Sequence, residues 1–170
     1  RLEVIETAGF VLGEVGAAAL DRHWRRGGLP RSFLARSDAD SWTWRDQFVR
    51  TFLERDLPQL GVGIAAPTLL RFWTMIAHYH GQIWNGSELG RSFGVSHTTV
   101  RSYLDLLAGA YVVDVLQPWA ENLGKRVVKS PKVFVTDSGL LHTLLGIDSQ
   151  HALLRHPKLG FHFFLDLALR

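Results

Sequence analysis

The stretch Ser87–Leu107, SELGRSFGVSHTTVRSYLDLL, decides how the rest of the chain is read. Its pattern predicts a short helix from Glu88 to Phe93, a tight turn at Gly94 and Val95, and a second helix opening at Ser96. Ser87 and Ser96 are the expected N-caps, each offering a side-chain oxygen to backbone N–H groups that lack a partner at a helix start. Gly94 suits a helix end that needs positive φ. Val100, Leu104 and Leu107 recur at i, i+4 and i+7, which makes one face of the second helix apolar. His97, Thr98, Arg101, Ser102 and Asp105 fall on the other face. That is a helix-turn-helix pattern, whose second helix shows short polar and basic side chains to a groove. Two helices around a glycine turn also occur in proteins that never touch DNA.

Working outward, TLLRFWTMIAHYHG reads as the helix before this pair, capped by Thr68, with Leu69, Phe72, Trp73, Ile76 and Tyr79 in the core. His78 and His80 lie two apart, so on a helix they point away from each other, and a partly exposed pair is favoured over a shared metal. On the other side, Tyr111 to Leu116 and Lys132 to Thr136 read as strands, which after a helix-turn-helix make a wing. Between them PWAENLGKRVVKSPK carries Lys125, Arg126, Lys129 and Lys132. These cations are either a phosphate-contacting surface or a solvated loop, and the two readings weigh equally. Asp137 ends the second strand and opens the helix SGLLHTLLGI; an N-cap is favoured over a metal-binding aspartate.

Toward the N-terminus, Arg1 to Glu6 alternates like a strand and Gly13 to Arg26 reads as one alanine-rich helix. Gly27-Gly28-Leu29-Pro30 stops it, and a helix stop with a turn is favoured there over a ligand contact. Trp44, Phe48 and Phe52 recur every four residues beside Val49 and Leu53, predicting an amphipathic helix with an aromatic face. Arg45, Asp46, Arg50, Glu54 and Arg55 are its expected solvated face, and the carboxylates of Asp46, Glu54 and Asp56 are expected in ordinary salt bridges rather than as a catalytic pair.

Composition narrows the function classes. With 46% hydrophobic and 21% charged residues over 170, the chain is of ordinary globular type and long enough for a core. The absence of cysteine excludes disulfides, thiol nucleophiles and thiolate metal ligands, and suits the cytoplasm. No apolar run is long enough to span a bilayer. A net charge of +3 is modest, so a basic surface has to be local. There is no phosphate-binding loop: Gly124-Lys125 is followed by Arg126, and Trp119 stands where its first glycine belongs. G-x-S-x-G, H-E-x-x-H and the dinucleotide fingerprint are absent too, so neither independent catalysis nor a bound metal or cofactor is expected. The chain opens inside a strand and stops inside GFHFFLDLALR, as a piece of a longer protein would.

Ordered blocks across nearly the whole chain carry a family resemblance: GGLPRSFLARSDADSWTWRDQFVRTFLERDLPQLG, then RFWTMIAHYHG through LLHTLLGI, then HPKLG. Together they resemble the C-terminal half of a group of bacterial and archaeal P-loop ATPases of the AAA+ superfamily. The resemblance implies an ATPase core ahead of Arg1, using ATP and Mg, with Arg1 to Glu6 as its tail. It implies that Gly27, Gly28 and Pro30 belong to a helical lid near the nucleotide, that a winged helix follows, and that the Asp137-Ser138-Gly139-Leu140 block opens a restriction-endonuclease-like domain. FHFFLDLALR departs from the family pattern, which has tryptophan and glutamate at about Phe163 and Phe164, so nuclease activity is not expected here.

The expected architecture is mainly α with a small β component: a helical lid-like segment (1–66), a winged helix-turn-helix (67–136) and the start of a truncated α/β domain (137–170). The expected function is a non-catalytic part of an AAA+ ATPase whose winged helix binds double-stranded DNA. Ser96, His97, Thr98, Arg101 and Ser102 would face a groove, and Lys125, Arg126 and Lys129 would meet phosphates. The competing expectation is a protein-interaction module that docks on its own ATPase core or self-associates.

Overall fold

Apolar residues spaced three and four apart recur through most of the chain, and the computed structural model, which describes residues 8–118 and 130–157, is accordingly mainly helical. Helix takes 63% and strand 6% of the described residues, and the strands form one small sheet. In order, the elements are α1 (Leu12–Val15), a 3-10 turn (Ala17–Ala19), α2 (Leu20–Arg26), α3 (Pro30–Phe33), α4 (Asp38–Thr51), a π turn (Phe52–Asp56), α5 (Leu57–Gln59), α6 (Ala66–His78), α7 (Gly86–Phe93), α8 (His97–Gly109), β1 (Val113–Leu116), β2 (Lys132–Val135), α9 (Ser138–Leu144) and α10 (Gln150–Arg155). No helix among the described residues is long and apolar enough to cross a membrane. The elements form two compact units, 8–50 with 137–157 and 51–118 with 130–136.

In the first unit the single helix expected from Gly13 to Arg26 is instead three pieces, broken at Gly16. α3 starts with Pro30, whose missing N–H costs nothing in a first turn. The buried line of α4 is Ser41, Arg45 and Val49. Trp44 and Phe48, expected to be the core face, are only half-buried and stack on each other with ring centroids 5.3 Å apart. The inward face is therefore rotated by one residue from the predicted one, and Arg45, expected in solvent, is 4% exposed. α9 begins at Asp137 as expected: the Leu140 N–H donates to its Oδ1 at 2.8 Å.

The second unit is built around an apolar interior. Leu53, Leu57, Leu69, Phe72, Trp73, Ile76, Val100, Leu104 and Leu107 are essentially removed from solvent, each burial contributing roughly 1.5–3 kcal/mol before entropy is counted. The apolar spacing of α6 and α8 supplies most of them. The caps differ in part from expectation. α6 begins at Ala66 with Pro67 in its first turn and no side-chain cap, so Thr68 lies inside the helix. α7 is capped by Asn85, whose Oδ1 accepts the Glu88 N–H at 3.2 Å, and Ser87 sits within the helix. Ser96 does cap α8, accepting the Thr99 N–H at 3.1 Å.

β1 and β2 pair antiparallel, from Val113 opposite Val135 to Leu116 opposite Lys132. The other edge of β2 is covered by the segment after α6: Gly81 N–H donates to Val133 O and Trp84 N–H to Pro131 O, both at 2.7 Å. His80 closes this corner. It is 6% exposed, its Nδ1 accepts the Val135 N–H at 3.0 Å, and its ring meets Phe134 edge-on. The expected exposed histidine pair is thus one exposed residue, His78, and one buried structural one, because the chain turns at Gly81 and swings His80 inward.

Candidate functional site

The turn between α7 and α8 is set by Gly94, at φ 79, and by the Val95 N–H, which donates back to Gly90 O at 3.0 Å. Val100, Leu104 and Leu107 anchor α8 inward. Ser96, His97, Thr98, Arg101 and Ser102 are consequently all exposed and brought to one side of the helix start, with Asp105 one turn further on. Some of their polar capacity is already used. Ser96 Oγ lies 2.7 Å from Thr98 Oγ1 and 2.8 Å from Thr99 Oγ1, Ser102 Oγ donates to Thr99 O, and Arg101 Nε donates to Asp105 Oδ1 at 2.9 Å. The Arg101–Asp105 pair is about half exposed on both sides, and an exposed i,i+4 pair is worth only about 0.3–0.5 kcal/mol. A phosphate or base edge would compete with it at little cost.

The second unit's described residues carry balanced charge. Among the described residues of the second unit, Arg55, Arg71, Arg91, Arg101 and Lys132 are matched in number by Glu54, Asp56, Glu88, Asp105 and Asp114. Arg71 is further tied down, donating to Phe93 O at 2.9 Å with its guanidinium 4.1 Å above the Phe93 ring. Lys125, Arg126 and Lys129 lie outside the described residues, as do Arg1 to Glu6 and FHFFLDLALR. Among the described residues no group of three or more His, Asp or Glu is placed to hold a metal.

A second constellation lies in the first unit, and spacing alone did not reveal it. Asp137 not only caps α9: its Oδ2 accepts the N–H groups of Gly28 at 2.8 Å and Leu29 at 3.3 Å. A Cβ on Gly27, which has φ 75, would overlap that carboxylate. The Gly27 N–H is used by His23 O at 2.8 Å, and Pro30 has none. Every backbone donor of the turn from Gly27 to Pro30 is therefore satisfied from within, which is the helix stop and turn expected, and none is left for a phosphate.

Arg45 joins the same region from α4. Its Nε donates to Thr143 Oγ1 at 2.9 Å, and its Nη1 to Ser41 Oγ at 2.6 Å, Ser32 Oγ at 3.1 Å and Arg26 O at 3.4 Å. Ser32 Oγ in turn donates to Arg26 O. Among the described residues all of Arg45's acceptors are neutral. Burial pulls its pKa down to about 10, with the Arg26 charge adding to the effect and Asp137 and Asp38 opposing it. A signal for this role was present: Ser41, Arg45, Val49 and Leu53 stand four apart, a stripe parallel to the aromatic one.

The chain is 58% identical over 160 residues to uncharacterized protein Rv2008c of Mycobacterium tuberculosis, and equally so to uncharacterized protein Mb2031c of Mycobacterium bovis. Each alignment takes in 94% of this chain and 36% of the relative, so the chain spans about a third of the length of these mycobacterial proteins. No solved structure matches it. Residues 17–151 match the family described as a domain of unknown function, DUF8612, and to that family the chain belongs.

Proposed function

We propose that this chain is a non-catalytic part of an AAA+-type ATPase, and that α6, α7, α8 and the β1–β2 pair act as a winged helix that binds double-stranded DNA. The observation that carries the reading is the face of α8: Ser96, His97, Thr98, Arg101 and Ser102 stand exposed together at the helix start while Val100, Leu104 and Leu107 are wholly buried behind them. Short polar side chains at the N-terminal end of an anchored helix suit entry into a major groove. Lys125, Arg126 and Lys129 would supply the phosphate contacts from the wing. In the parent protein ATP and Mg would be held by a P-loop core outside this chain. The turn at Gly27, Gly28 and Pro30 would be a lid element near the nucleotide rather than a phosphate grip, since its N–H groups are already used.

Duplex binding measured across a salt series tests this. Affinity should fall steeply with salt, Arg101→Ala should weaken it, and Lys125→Ala should reduce the salt slope by about one. Absence of any salt-dependent affinity would sink the reading.

One observation favours a second reading, in which the same face docks on the ATPase core or on another copy of the chain. The described second unit carries no net charge to attract a polyanion. Light scattering alongside the DNA titration separates the two: self-association without DNA affinity supports docking.

A further inference from the structure

Arg25, Arg26 and Arg45 line one small cavity of the first unit together with Asp38, His142 and Asp148. Two of these guanidinium groups are incompletely used. Arg25 is committed, with Nε and Nη2 on Asp21 and Nη1 on Asp38. Arg26 places Nε on Asp38 at 2.7 Å and Nη1 on the carbonyls of Ala35 and Phe33. Arg45 places Nε and Nη1 on hydroxyl and carbonyl oxygens. The Nη2 groups of Arg26 and Arg45 donate to no acceptor among the described residues. Arg45 is 4% exposed, yet no carboxylate there lies in ion-pair contact with it, and a buried charge without a direct counter-charge is costly.

We infer that this cavity binds a small oxyanion of the phosphate type, held between the Nη2 groups of Arg26 and Arg45. With Nε and Nη1 engaged, each guanidinium offers the N–H donors of its Nη2, and a charge-assisted bond from such a donor to a phosphate oxygen is roughly twice as strong as a neutral one. The bound anion supplies the direct counter-charge that no described residue gives Arg45. Asp137 and Asp38 favour the charge from a distance, but neither is in ion-pair contact with it: Asp137 accepts the Gly28 and Leu29 N–H groups, and Arg25 and Arg26 clasp Asp38. The exposed carboxylate of Asp148 at the cavity repels the ligand and limits its affinity. The site is independent of DNA binding and of α8.

Inorganic phosphate titrated into the chain at constant ionic strength, with chloride as the balancing anion, tests the site through the melting temperature. The wild-type chain should show a saturable rise. Arg45→Lys keeps a cation but removes the Nη2 donors, and should weaken the apparent affinity by about tenfold or more. Asp148→Asn should tighten it by several-fold, roughly the effect of removing one nearby like charge. That exposed variant leaves the interior intact, so it decides the matter even if Arg45→Lys fails to fold. A parallel titration with O-phosphoserine identifies the source: saturation by both ligands assigns a phosphomonoester site, and saturation by phosphate alone assigns a free-ion site. A rise that never saturates and is the same in Asp148→Asn is the general effect of an excluded salt, and would overturn the proposal. So would an Asp148→Asn chain that melts lower and loses the response, because Asp148 would then be the counter-ion itself.

Discussion

The interiors of the two units differ in kind. The buried polar residues His23, Ser32, Ser41, Arg45, Asp137, Ser138 and His142 all belong to the first, and among the described residues His80 is the second unit's sole counterpart. The second unit instead fills its center with Phe72, Trp73, Ile76, Leu104 and their aliphatic neighbours. Apolar packing is non-directional, so its cost of change follows volume. A buried hydrogen-bonded network depends on position and angle as well, and one displaced member leaves others unsatisfied. A methyl group added to the first unit should therefore do more damage than its size suggests.

Gly139→Ala is the sharpest way to break the contrast. At this point α9 approaches α2 so closely that a Cβ would overlap Arg26 O and lie 2.9 Å from Arg45 Cδ. Neither can yield freely, since Arg26 O is a helix-end carbonyl that accepts from Ser32 and Arg45. The expected loss is about 3 kcal/mol or more, at the upper end for overpacking. Hydrogen exchange should show it as lost protection in Leu20–Arg26 and Ser138–Leu144, with Ala66–His78 and His97–Gly109 still protected. Equal loss in both units would mean that their interiors are not energetically distinct.

Legibility in the sequence followed the same division. The helix pair around Gly94 was readable almost to the residue, because apolar spacing and a serine cap are local signals. Its one slip, Ser87 for Asn85, came from two competent caps standing two residues apart. The strands were found with ends one or two residues long. The role of Asp137 as a cap was local and readable; its grip on Gly28 spans 109 positions and was not. Arg45 was placed in solvent because aromatic residues mark a core face strongly, whereas the partners that make burial of a cation tolerable include Thr143, 98 positions away. The exposed residues of α8 were all legible, since an outward face needs only the position of the inward one. The basic stretch from Lys125 to Lys129 lies outside the described residues.

In the apolar unit Tyr111 marks a point where backbone rather than network should set the energy. α7 and α8 end in the same motif: the Val95 N–H returns to Gly90 O, and the Val112 N–H to Leu107 O. The residue in the left-handed position is Gly94 in one and Tyr111, at φ 61, in the other. A side chain there costs roughly 1–2 kcal/mol. Glycine's larger unfolded-state entropy recovers about 0.5–1 kcal/mol of that difference. Tyr111 is 77% exposed, so little packing is lost, and the bond from Thr136 Oγ1 goes to its backbone carbonyl. Tyr111→Gly should stabilise the chain by about 0.5–1 kcal/mol in chemical denaturation. A loss of stability would show that the phenol ring contributes to the fold.

The smallest expected effect concerns acid, and it belongs to the polar unit. Burial alone would raise the Asp38 pKa, but the hydrogen bond from Arg26 and the charges of Arg25 and Arg26 outweigh it and hold the carboxyl below its ordinary value of 3.8. A carboxyl whose pKa is lower in the folded state contributes stability that is fully present above its unfolded value and is lost as pH falls through the folded one. The contribution is modest, because the Asp38 side chain is half exposed and solvent screens the pairs. It is also directional: Asp38 closes the end of α2 onto the start of α4, so its protonation should loosen Leu20–Arg26 before it touches α6 or α8. Hydrogen exchange followed from pH 5 downward should therefore show α2 opening first, with the step absent in Asp38→Asn. If α6 and α8 lose protection at the same pH as α2, and the Asn variant behaves like wild type, then the acid response comes from net charge on the whole chain and not from this clasp.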